Sequence, residues 1–75
     1  MKLSFAEVVR ILASRKHLVY GDLAEKTSQT RQNLTNKMSR DNFRINEMEE
    51  IAKALNCTLS VVMIDNETGE KYELA

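Results

Sequence analysis

Cysteine is nearly absent from this chain of 75 residues: Cys57 is alone, so no intramolecular disulfide can form. Its place between Leu55 and Leu59 predicts a small buried hydrophobe rather than a reactive thiol. Histidine is as scarce. His17 stands far from Cys57 in sequence, with no third group to support either. It follows the first predicted helix, where a cation suits the helix C-terminus. No phosphate loop, paired-cysteine motif or acid dyad occurs, so the chain reads as no enzyme, with no metal and no other cofactor. No apolar run approaches the ~20 residues of a membrane span, and no signal peptide is visible. A cytoplasmic protein without a membrane partner is expected. Repeats, linkers and low-complexity segments are missing too. What remains is one small domain with a thin core, of the size that often gains stability by oligomerising.

Net charge is also lacking, at zero. That balance hides an asymmetry. Residues 1–18 set Lys2, Arg10, Arg15 and Lys16 against Glu7 alone. Residues 19–44 set Lys26, Arg31, Lys37, Arg40 and Arg44 against Asp22, Glu25 and Asp41. Beyond residue 44 only Lys53 and Lys71 oppose a run of acids. A basic front and an acidic end can focus a positive field on one face, as a nucleic-acid partner requires.

The apolar residues then place the elements. Ser4 and Glu7 form a capping-box pattern, and Phe5, Val8, Val9, Leu12 and Ala13 recur at helical spacing, which predicts a helix over about 4–16. Leu23 and Ala24 face inward from a short second helix at 20–26, whose first turn is weakened by Gly21. Thr30 is a good N-cap for a third helix at about 31–39, anchored by Leu34 and Met38. Phe43 tucks back from the loop that follows. A fourth helix at about 45–55 carries Met48, Ile51, Ala52 and Leu55 as its stripe.

The period then changes from 3.6 to 2. "TLSVVMID" and "EKYEL" flank "NETG", which predicts a hairpin with a type I turn and Gly69 in the left-handed conformation, making a bulge. That turn sets Ile64 opposite Tyr72 and Val62 opposite Leu74. Val62, Ile64, Tyr72 and Leu74 then share one face, expected to pack on helices 1 and 4, with Val61 and Met63 on the other. A lone two-stranded hairpin is marginal in water, so it needs a partner.

The segment "TRQNLTNK" asks what its Gln, Asn and Thr side chains bond. A solvated helix more often carries Glu and Lys. Two short helices joined by a tight turn, the second capped and polar, make a helix-turn-helix pattern. The start of such a second helix lies in the DNA major groove. There Gln and Asn bond adenine N6 and N7, Arg bonds guanine O6 and N7, and surrounding cations hold phosphates.

With these residues in view, "DLAEKTSQTRQNLTNKMSRDNF" followed by "EEIAKALNCTL" resembles the Cro- and phage-repressor-like helix-turn-helix proteins, the XRE family, over about residues 5–59. The resemblance implies a mostly α fold. A four-helix lambda-repressor-like helix-turn-helix domain spans 1–57, and a C-terminal β-hairpin spans 58–75 as the dimerisation element. It makes Arg31, Gln32, Asn33, Thr35 and Asn36 the base-contacting residues. Tyr20, Thr30, Lys37, Arg40 and Arg44 fall where the family contacts phosphates. Val61, Val62, Met63, Ile64, Tyr72 and Leu74 become the dimer interface. The implied function is that of a sequence-specific transcriptional regulator of double-stranded DNA. It would be a bacterial or prophage repressor acting as a homodimer on a palindromic operator.

The sequence departs from the family at three places. Tyr20 stands where the family often has Gln. Ser28 and Gln29 occupy the turn, where Gly and an apolar residue are usual, which predicts a looser or tilted turn. The family's fifth helix is replaced by the hairpin. A rival reading keeps the scaffold but makes it a protein-binding module, an antitoxin or an anti-repressor.

Overall fold

The computed structural model describes residues 2–74; Met1 and Ala75, at the outer ends of the two expected segments, lie outside it. Four helices precede two strands: α1 (Phe5–Arg15), α2 (Tyr20–Lys26), α3 (Arg31–Arg40), α4 (Ile45–Ala54), β1 (Val61–Ile64) and β2 (Lys71–Leu74). Every helix falls within one residue of its expected bounds, because local chemistry marks the ends. The Ser4 hydroxyl accepts from the Glu7 N–H while the Glu7 carboxylate accepts from the Ser4 N–H, closing the capping box. The Asp41 carboxylate, brought from the end of α3, accepts from the Ala6 N–H at 3.0 Å and adds a tertiary cap.

The helix C-termini show a shared device. His17, Ser28 and Asn56 each take a left-handed conformation (φ 57°, 56° and 57°) just past α1, α2 and α4. The next residue then donates back into its helix: Leu18 to Ala13, Gln29 to Ala24 and Cys57 to Ala52, at 2.9, 2.9 and 2.7 Å. Glycine usually occupies such positions, since it carries no Cβ penalty there. In this chain ordinary residues bear that strain.

The core joins all four helices. Leu23, Leu34, Met38, Ile51, Leu55 and Val9 are the largest fully buried side chains, with Ala6, Ala13, Ala24 and Ala52 among them. Phe43 does pack against this cluster, its ring 4.9 Å edge-on from Phe5. Cys57 is half-buried, its thiol donating to the Leu55 carbonyl, so it lines the core rather than filling it.

The hairpin departs from its expected form in two ways. Its register is Val61↔Leu74, Val62↔Glu73, Met63↔Tyr72 and Ile64↔Lys71, one residue off the expected pairing. Gly69 is left-handed (φ 80°) as expected. However, the Asp65 N–H donates to the Glu70 carbonyl at 2.9 Å, and the Gly69 N–H to the Asp65 carbonyl at 2.7 Å. Asp65 therefore faces both Gly69 and Glu70, so the expected bulge at Gly69 is present, but it closes a loop one residue wider than expected. The Asp65 carboxylate, accepting from the Glu67 N–H at 2.9 Å, holds this wider loop open. A one-residue shift exchanges faces. Val61, Met63, Tyr72 and Leu74 now share one side, and Val62 and Ile64 share the other with Lys71 and Glu73.

Neither side packs on helices 1 and 4. Val62, Met63, Ile64, Tyr72 and Leu74 are 40–62 % exposed. The hairpin stands off the helical body. The molecule measures 44 × 23 × 22 Å with a radius of gyration of 13.9 Å, against about 11 Å for a compact chain of this length.

Candidate nucleic-acid interface

The question raised by "TRQNLTNK" has its answer in how α3 is seated. Thr30 caps it, its hydroxyl accepting from the Asn33 N–H at 3.0 Å. Leu34 and Met38 are buried, one turn apart, and fix which face points inward. At 3.6 residues per turn the opposite ridge is Gln32, Asn36 and Ser39, all exposed. Thr35 flanks this ridge on one side; Asn33 and Arg40 flank it on the other. Arg31 is exposed in the first turn. Ser39 was missed by the sequence reading, although its spacing of seven from Gln32 is the signal that finds it. No acidic residue lies on α3. The ridge is therefore a row of uncharged donor–acceptor groups with nothing to repel a polyanion.

The helix-turn-helix turn is regular, contrary to the looser turn expected. Ser28, left-handed, donates to the Glu25 carbonyl at 3.2 Å, and Gln29 donates to the Ala24 carbonyl. The polar Gln29 is accommodated half-buried because both ends of its amide are bonded. Its Nε2 donates to the Thr27 hydroxyl at 2.7 Å, and its Oε1 accepts from the Asn33 Nδ2 at 3.1 Å.

The cations divide into held and free. The Lys37 ammonium forms an ion pair with Glu47, whose other oxygen accepts from the Arg44 N–H at 3.0 Å. The hydrogen bond from Lys37, then that from the Arg44 N–H, holds the Glu47 carboxyl below its ordinary range. Lys37 thus ties α3 to the start of α4. Among the described residues this is the one ion pair. Arg31, Arg40 and Arg44 are exposed, with guanidiniums unpaired by any described acid. Tyr20 opens α2 with its ring half-buried against the core.

A short helix, a tight turn and a second helix presenting a neutral polar ridge beside unpaired guanidiniums define a helix-turn-helix DNA-binding domain. The chain belongs to the Cro/C1-type HTH DNA-binding domain family, whose model matches residues 8–68. The match begins later than the resemblance read from the motifs and runs further, through β1 into the hairpin loop. No curated protein and no solved structure matches the chain. No helix among the described residues is long and apolar enough to cross a membrane.

Proposed function

We propose that the protein is a sequence-specific transcriptional regulator that binds a palindromic operator in double-stranded DNA as a homodimer. One observation carries the reading: the exposed, acid-free ridge of Gln32, Asn36 and Ser39 on α3. Gln32 and Asn36 stand at its centre, with Arg31, Asn33 and Thr35 beside them. Bidentate Gln and Asn contacts favour adenine, and Arg favours guanine. Arg40, Arg44, Thr30 and Tyr20 supply phosphate contacts around this row. Lys37 adds to them only on leaving Glu47.

The hairpin supports the dimer. Val61, Val62, Met63, Ile64, Tyr72 and Leu74 lie on it, and both strands have an open edge. β1 carries no charged residue, whereas β2 carries Lys71 and Glu73. Charges, Lys above all, blunt an edge against pairing. The β1 edge is therefore the one that would pair with its copy about a two-fold axis. Such a pair would set two α3 helices about one DNA turn, about 34 Å, apart. Seated over a promoter in a bacterial or prophage genome, it would act as a repressor in the cytoplasm.

The exposed hairpin also favours a second reading, in which it grips another protein and the scaffold serves as an antitoxin or anti-repressor. Selection from a random duplex pool separates the two. The regulator enriches one palindrome, and its affinity falls steeply with salt as phosphate contacts release counterions. A module for protein alone enriches none and shows little affinity to lose.

A further inference from the structure

Gln29 is the residue that the helix-turn-helix pattern does not account for, since an apolar side chain would fill its place. In the structure it is the middle of a relay. Asn33 Nδ2 donates to Gln29 Oε1 (3.1 Å), Gln29 Nε2 donates to Thr27 Oγ1 (2.7 Å), and Thr27 Oγ1 donates to the Leu23 carbonyl (2.8 Å). The last link fixes all the others. A carbonyl oxygen only accepts, so the single Thr27 proton is spent on Leu23 and its oxygen must accept from Gln29. That places the Gln29 amide nitrogen at Thr27 and its oxygen at Asn33. Asn33 must then turn its nitrogen inward. One amide proton is used, and its carbonyl oxygen and second proton are left for a ligand. An isolated Asn offers either amide end; this one offers a single orientation, set by the backbone of α2.

From this geometry we infer that Gln29 is a positioning residue for sequence readout: it holds the Asn33 amide with its acceptor and remaining donor aimed outward, a pattern matched by adenine N7 and N6. The inference rests on the reading of α3 as the base-contacting helix. Its effect is on selectivity rather than on general affinity, because Gln29 is uncharged and half-buried, with its amide bonded to Thr27 and Asn33. Thr27 belongs to the same device, although it lies on the far side of Gln29 from Asn33.

The test is a double-mutant cycle on the selected duplex and on variants of it at each position, with melting temperature and random-duplex affinity measured alongside. Asn33→Ala in the native background is expected to weaken the selected site about tenfold and relax choice at one adenine position. In a Gln29→Leu background, which supplies the apolar side chain usual in the turn, the same substitution is expected to cost less than about twofold, because coupled residues are not additive. Gln29→Leu and Thr27→Val should each relax that one position while random-duplex affinity stays constant. Additive effects of Gln29→Leu and Asn33→Ala would overturn the inference. So would an Asn33→Ala protein that keeps full selectivity while Gln32→Ala loses it, a result that leaves the reading of α3 standing. Unchanged sequence preference in every one of these variants, Gln32→Ala included, would overturn both.

Discussion

The helical body and the hairpin solve the same problem differently. The body closes on itself. Its core residues are shared among four helices, no buried side-chain polar atom among the described residues lacks a partner, and its helix ends are tied by caps and back-bonds. The hairpin closes on nothing: two strands of four residues, one of them wholly apolar, with both sides exposed. A body with a closed core beside an arm that leaves its apolar faces open is the anatomy expected of the proposed reader and its proposed assembly element.

The comparison breaks most severely at Leu34, which seats α3 and is fully buried. Leu34→Ala should cost about 2–5 kcal/mol of stability and take DNA binding with it, read by thermal unfolding and gel shift. Ile64→Lys should do the reverse. Helical content and the melt of the isolated body persist, while self-association is lost at micromolar concentration by sedimentation. An Ile64→Lys chain that unfolds would mean that the body depends on the hairpin after all.

Gln32→Ala sharpens the contrast on the DNA side. It should weaken the preferred duplex by about 1–3 kcal/mol and relax one or two base positions without altering the dimer. Arg40→Ala should instead weaken all duplexes alike and reduce the salt slope by about one. Smaller again is Ser28→Gly, which relieves a left-handed non-glycine residue in the turn. Stability should rise by about 1 kcal/mol, with sequence preference unchanged.

The smallest effect concerns Glu47. Its carboxyl is held below its ordinary value of 4.5 by Lys37 and the Arg44 N–H. A lowered folded value means that the contribution to stability is present above that pH and is lost as pH falls through the lowered range. Glu47→Gln should remove this acid-side step from a series of melts. It should also free the Lys37 ammonium, steepening the salt dependence of random-duplex binding by about one charge.

How much of this was legible follows from how local each feature is. Ser4, Glu7 and Thr30 mark helix ends through bonds three residues long, so the helix bounds could be read within a residue. The Leu34–Met38 spacing likewise fixed the outward face of α3. The hairpin register was lost by one because the Asp65 side chain shapes the loop, a choice that "NETG" alone does not settle. Its separation from α1 and α4 was lost because alternation shows which residues need cover, not what covers them. The Lys37–Glu47 pair and the Asp41 cap on α1 join different elements and left no periodic trace. Gln29 was legible as an anomaly, but its bonds to Thr27 and Asn33 needed the turn to be built first.

Sedimentation equilibrium of the full chain at micromolar concentration, alone and with the selected duplex, tests the central claim most directly. The account requires a species of twice the 8.6 kDa chain mass that binds one palindromic duplex as a pair. A species of 8.6 kDa that binds a single half-site tightly would contradict it, and would leave the hairpin to another protein.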